Sequence, residues 1–228
     1  MATIETAAHL HLRRLAVAWA LEQGFSAVAA EVQLPNSAFR ADVAAYRNAK
    51  GARIGKSLLG TTAVFECKQA RSDFLKDSYS QEETAARLKA CDERRQTLER
   101  LLKMHMPSLR SGETLFAEFD AVNLAGFEHK TYRRVMREID LLQRRLFGKT
   151  KFDRLLRYRC ANLNYLVVEN GVLEAHEAMA GWGLLVRRDD RLVLERKPIR
   201  QDVAERKRLI LLQRIASAGT RKLHRLNP

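Results

Sequence analysis

Phe39-Arg-Ala-Asp-Val-Ala-Ala-Tyr46 and Thr61-Thr-Ala-Val-Phe-Glu-Cys-Lys-Gln69 are the two segments whose reading decides the fold. The first alternates apolar and polar residues as a half-buried strand does. The second is apolar until charges intrude at its end, as expected of a central strand. Upstream, Ser26 to Leu34 (SAVAAEVQL) reads as a further strand and ends at the turn signal Pro35-Asn36. Before it, Ile4, Ala7, Ala8, Leu12, Leu15, Ala16 and Trp19 recur at helical spacing over residues 3 to 23, and Gly24 supplies a stop. The N-terminal third therefore predicts a helix followed by a three-stranded meander.

From Ser72 the pattern turns helical and continues to about Met104, with Ser72 as N-cap, Asp73 in the first turn and Pro107 beyond the end. A second helical stretch, Tyr132 to Phe147, carries Tyr132, Val135, Met136, Ile139, Leu142 and Leu146 on one stripe and arginines on the other. Strand signals return at Leu163 to Glu169, Gly183 to Arg188 and Leu192 to Arg196, the last two joined by Asp189-Asp190 as a hairpin. A basic helix is expected from about Gln201 to Ala216, then a loose end. A meander whose last strand feeds a helix crossing back to further strands is a mixed α/β sheet with helices on its faces. The expected organisation is a core of residues 1–79 and 159–200, a helical insertion over 80–158, and a basic C-terminal helix and tail over 201–228.

The composition of the 228 residues, 46% hydrophobic and 30% charged, excludes a disordered chain and predicts a globular interior. No apolar run reaches the length of a membrane span, so a cytoplasmic protein is expected. Three cysteines at wide spacings, Cys67, Cys91 and Cys160, argue against a disulfide framework and a zinc knuckle. The formal net charge is +14, and residues 196–228 alone carry ten Lys and Arg against two acids. Such a surface concentrates polyanions, which points to DNA before RNA or an anionic membrane.

Alternation along 61–69 puts Glu66 and Lys68 on one sheet face and Cys67 on the other. Opposite charges emerging from a core strand lose hydration that something must replace, and a metal ion with a phosphate replaces it well. Asp42 sits in the preceding strand between Ala41 and Val43, and a meander brings that strand alongside. Oxygen ligands from Asp42, Glu66 and the Cys67 backbone carbonyl suit Mg²⁺ or Mn²⁺, with Lys68 orienting a water or neutralising developing charge. The alternatives are a same-face ion pair for Glu66 and Lys68 and a strand-edge carboxylate for Asp42.

The segments Phe39-Arg-Ala-Asp-Val-Ala-Ala-Tyr46 and Val64-Phe-Glu-Cys-Lys-Gln-Ala-Arg-Ser-Asp-Phe-Leu-Lys-Asp77 resemble the paired signatures of the MmcB-like DNA-repair branch of the PD-(D/E)xK nuclease superfamily. Asn164-Tyr-Leu-Val-Val168 and Gly181-Trp-Gly-Leu-Leu185 resemble that branch's closing strands. The resemblance covers roughly residues 5–78 and 160–197. It implies a restriction-endonuclease-like mixed sheet with a helical insertion, metal ligation by Asp42 and Glu66, and Lys68 as catalytic lysine. Glu31 matches an additional acidic residue that many members carry, and Ala41 stands where the family has a proline before the aspartate.

Gln69, Arg71 and Ser72 lead from the strand into a helix N-terminus, where free N–H groups and a guanidinium favour a phosphate. Helix capping is the plainer reading of Ser72. Arg40, beside Ala41 and Asp42, is a further candidate phosphate contact. The helical insertion, with Arg133, Arg134 and Arg137 among its cations, reads as a DNA clamp, a homodimer interface or a solvated cap.

The stretch Gly51-Ala-Arg-Ile-Gly-Lys-Ser57 is one residue too short for a phosphate-binding P-loop and joins two strands. His9 and His11, two apart on a helix, cannot share a metal. Trp182 between glycines reads as a packing anchor. The expectation is thus a metal-dependent DNA nuclease, with a noncatalytic DNA-binding or scaffolding protein, or an RNA-directed nuclease, as alternatives.

Overall fold

The structure, a computed structural model, describes residues 6–35, 39–49, 59–71, 82–106, 122–123, 129–147, 160–175, 177–179 and 181–226. In chain order the elements are α1 (Ala7–Glu22), β1 (Ala27–Gln33), β2 (Arg40–Arg47), β3 (Thr61–Lys68), α2 (Glu82–His105), β4 (Val122–Asn123), α3 (Lys130–Phe147), β5 (Leu163–Val168), β6 (Gly183–Arg188), β7 (Arg191–Arg196), β8 (Ile199–Arg200) and α4 (Glu205–Leu226). The fold is α/β: a six-stranded mixed sheet in the order β1-β2-β3-β5-β6-β7, flanked by helices. β1-β2-β3 is an antiparallel meander, β3-β5 and β5-β6 are parallel, and β7 closes the sheet antiparallel to β6. β4 and β8, two-residue strands too short to leave a sequence signal, form a separate parallel pair.

β3 is buried along seven of its eight residues, which accounts for its unbroken apolar run. One sheet face packs on α1 through Leu12, Ala16, Trp19, Val43, Phe65, Cys67 and Tyr165. Here Phe65 stacks on Tyr165 at 4.9 Å, while Trp19 meets both rings edge-on at 6.0 and 5.3 Å. The α1 start is capped by Thr6, whose hydroxyl accepts from the His9 N–H at 3.2 Å, and Gly24 beyond its end takes a left-handed φ of 80°. The opposite face packs on α4 through Val64, Leu166, Leu184, Trp182, Leu211 and Ile215. Trp182 is therefore a core anchor.

The C-terminal helix departs from the expected 201–216. It begins at Glu205 and continues to Leu226, so the expected loose end is helical as far as that residue. Gln201 is instead held in extended lead-in, its N–H donating to the Asn162 carbonyl at 2.8 Å. Arg208 pins the first turn by donating to the carbonyls of Leu59 and Gly60 at 2.7 and 2.8 Å. The apolar face of α4, Leu211, Ile215 and Ala218, packs on the sheet up to the residue before Gly219, and the helix runs on through that glycine, whose mid-helix cost is roughly 1 kcal/mol, to Leu226. The expected start of the long helix at Ser72 and the Gly51–Ser57 stretch lie outside the described residues.

α2 and α3 pack as a pair around Leu88, Val135, Ile139 and Leu142. A buried ionic cluster joins them to the sheet. Asp92 of α2 accepts from Arg95 Nε at 2.9 Å and lies 3.2 Å from Arg196 Nη2 of β7, while Arg95 Nη1 and the Tyr132 hydroxyl both donate to Glu99 Oε1, at 2.6 and 2.9 Å. Arg196 also donates to the carbonyls of Ala175 and Ala178 at 2.9 and 2.6 Å. Burial, and then the neighbouring Arg95, lowers the Arg196 guanidinium to about 10. Asp92 is the carboxylate shared by both guanidiniums, so Asp92→Ala leaves two buried cations undercompensated. A loss of about 3–5 kcal/mol in folding stability is expected from denaturant unfolding. The exposed pair Arg87–Glu138 serves as control: Glu138→Gln is expected to leave the midpoint unchanged within error.

Candidate functional site

The sheet's regular alternation breaks at one end of β1 and β2. Ala29 and Val32, three residues apart, both face the α4 side, as do Ala41 and Ala44. Strict alternation would put Val32 and Ala41 on the α1 side. The reversal centres on Glu31, which adopts a left-handed φ of 54°, and on Asp42. They lie between the paired positions Ala30↔Val43 and Val32↔Ala41. Such irregularities re-aim side chains at strand ends.

What the reversal releases is the Asp42 carboxylate. Its Oδ2 accepts from the Cys67 N–H of β3 at 2.7 Å, so a side chain closes the β2–β3 ladder beyond the Val43↔Phe65 pair. The Asp42 Oδ1 lies 3.6 Å from His9 Nε2 on α1. Glu66 is buried, and its Oε1 lies 3.6 Å from the half-buried Lys68 ammonium. Phe65 and Cys67 face α1, so alternation turns Glu66 and Lys68 toward the other face. Asp42 therefore meets Glu66 at the peptide joining Glu66 to Cys67, not across an open pocket. Burial, and then the negative charges of Asp42 and Glu66, push the Cys67 thiol well above the ordinary thiol range, against the pull of Arg13 and Lys68. Two acids and two cations thus act on a single residue.

Glu31 stands one step outward, with Arg13 Nη1 donating to its Oε1 at 2.9 Å and Arg40 Nη1 3.8 Å from its Oε2. Gln69 accepts from the Thr6 hydroxyl and clasps the α1 start to the end of β3. Arg71 is drawn toward the β5–β6 connection, where it pairs with Glu177 and donates to the Val172 carbonyl at 3.4 Å. The sequence-predicted residues therefore divide. Asp42, Glu66, Cys67 and Lys68 gather; Glu31 and Arg40 adjoin them; Gln69 and Arg71 are engaged by the protein itself; Ser72 lies outside the described residues.

Sequence reasoning missed His9 and Arg13. Their signal was the recurrence of Thr6, His9 and Arg13 along one helix face beside the apolar stripe Leu12, Ala16 and Trp19. Among the described residues no group of three or more His, Cys, Asp or Glu side chains is arranged to hold a metal. Asp42 and Glu66 supply two hard carboxylates, the number with which Mg²⁺ is commonly held beside carbonyl oxygens and water, so the donor chemistry fits that ion.

No protein-family model matches the chain, and no curated protein matches its sequence. Among solved structures the chain is similar to SPO1766, a protein of unknown function from Silicibacter pomeroyi, at 13% identity and a TM-score of 0.51. The likeness covers 98% of this chain and 93% of that one, and at this identity it concerns the fold alone. Among the described residues no helix is long and apolar enough to cross a membrane.

Asp42 has a structural duty separable from its charge. Asp42→Asn keeps an acceptor for the Cys67 N–H and should leave stability nearly unchanged, whereas Asp42→Ala orphans that N–H at a cost of about 1–3 kcal/mol. Denaturant midpoints of the two variants compare them directly, and equal loss in both would show that the charge matters more than the hydrogen bond.

Proposed function

We propose that the protein is a divalent-metal-dependent nuclease with a restriction-endonuclease-like core, hydrolysing DNA phosphodiester bonds in repair, recombination or defence. One observation carries the reading: the Asp42 carboxylate is bonded to the peptide that follows Glu66, with Lys68 next along the same strand. The ordered resemblance of both strand segments to the PD-(D/E)xK signatures and the net charge of +14 support it.

Asp42, Glu66 and the Cys67 carbonyl are the groups that would hold Mg²⁺ or Mn²⁺. Such an ion, when bound, lowers the pKa of a water and offsets charge on the phosphodiester. Lys68 brings a positive charge beside Glu66, suited to orienting that water or neutralising charge as the bond breaks. His9 braces the second oxygen of Asp42 from α1. Arg13 and Arg40 hold Glu31 at the margin, where the acid is available as a further catalytic carboxylate.

A second reading, a noncatalytic DNA-binding or scaffolding protein, is favoured by the burial of Glu66 against Lys68 and by the engagement of both Asp42 oxygens. A cleavage panel of duplex, single-stranded, flapped and branched DNA, with RNA competitors, separates the two in Mg²⁺ and Mn²⁺. Nuclease action predicts chelator-sensitive cleavage that falls about 100-fold or more in Asp42→Asn, Glu66→Gln and Lys68→Ala, with DNA binding largely retained. Undiminished cleavage in chelator, or salt-steep binding with no cleavage of any substrate, overturns it. Preferential cutting of RNA moves the substrate assignment to the other polymer.

A further inference from the structure

Beside the carboxylate site, a cleft of about 650 Å³ opens where the β1 edge kinks at Glu31. Its wall is built from both faces of the sheet. Arg13 comes from α1, Gln33 and Arg40 from the meander, and Arg214, Arg221 and Lys222 from α4. Ala30 and Ala218 supply short side chains, which leave the volume open. Among the described residues five cations line the cleft beside one carboxylate, Glu31, which is engaged with Arg13 and Arg40. The three α4 cations project at positions 214, 221 and 222, a run of about two helical turns on one side, and all three are exposed.

We propose that this cleft seats the phosphodiester backbone of duplex DNA flanking the carboxylate site, with Arg214, Arg221 and Lys222 of α4 as its principal phosphate contacts. The inference rests on the nuclease reading for the chemistry that follows binding, but the binding itself is independent of it. The spacing along α4 suits successive phosphates better than one small anion, because the two ends of the stripe lie eight residues, about 12 Å, apart along the helix. No aromatic ring lines the cleft among the described residues, so it lacks the stacking platform on which unpaired bases are usually held. Guanidinium and ammonium groups without base-edge partners predict affinity that is steeply salt-dependent and indifferent to sequence. Glu31, paired with Arg13 and Arg40 in the cleft wall, stands opposite Asp42 in the β1–β2 register, so the cleft borders the carboxylate site.

Fluorescence anisotropy of a labelled duplex, with the full chain in chelator so that nothing is cut, tests the proposal. The variant Arg214→Gln/Arg221→Gln/Lys222→Gln is compared with Arg133→Gln/Arg134→Gln/Arg137→Gln, which removes equal charge from exposed positions of α3. The α4 variant is expected to bind at least tenfold more weakly at 150 mM salt. Its slope of log affinity against log salt should fall by roughly 2–3, since each lost phosphate contact removes about 0.9. The α3 variant should retain most of both. Circular dichroism and a thermal midpoint check that the exposed substitutions leave the fold intact. Equal losses in the two variants would mean a diffuse basic surface, and an unchanged slope in the α4 variant would mean that the cleft holds no phosphates. Either result overturns the proposal, as does tighter binding of single-stranded DNA or duplex RNA than of the DNA duplex. Cleavage by wild type with normal binding by the α4 variant removes this inference and leaves the nuclease; lost binding without cleavage in any metal does the reverse.

Discussion

The hydrogen bond from the Cys67 N–H to the Asp42 carboxylate is the constraint around which this end of the molecule is arranged. Cys67 lies on a strand buried from both sides, where an N–H without an acceptor is costly. β2 meets that need with a side chain, and the side chain must be held. His9 braces its other oxygen, and the clasp between Thr6 and Gln69 keeps the start of α1 against the end of β3. The facing kink at Glu31 returns Val32 and Ala41 to the α4-side core, so the polar end is built without opening the interior.

Helix α4 couples core packing to the surface charge. Leu211, Ile215 and Ala218 fix its rotation on the sheet, and that rotation aims Arg214, Arg221 and Lys222 at the cleft. A solvated basic tail would carry the same charge without direction. The buried Asp92–Arg95–Glu99 cluster does comparable work for α2 and α3, since Arg196 ties it to the last strand of the sheet.

Much of this was legible along the chain because it depends on local pattern. The meander, the central strand with its terminal Glu66-Cys67-Lys68, the Asp189-Asp190 hairpin and the amphipathic α3 all follow from periodicity and turn chemistry. Periodicity also accounts for the pairing of Glu66 with Lys68, because residues two apart on a strand share a face. Element ends were less legible: the basic pattern suggests a helix over about 201–216, whereas α4 starts at Glu205 and runs through Gly219 to Leu226.

Contacts between distant segments were invisible for a different reason. Alternation assumes a regular strand, and nothing in Ala-Glu-Val or Ala-Asp-Val announces that both strands reverse face at their acidic residue. That reversal answers to the neighbouring strand's N–H and to the cores on either side, both of which exist only after folding. Residue order therefore settled which elements form and which acids and lysine stand at their ends; three-dimensional packing settled that Asp42 bonds to a peptide, that Arg71 turns to Glu177, and that His9 and Arg13 join the site from α1. Local propensity acts over a few residues, whereas the burial of polar groups is balanced across the whole interior.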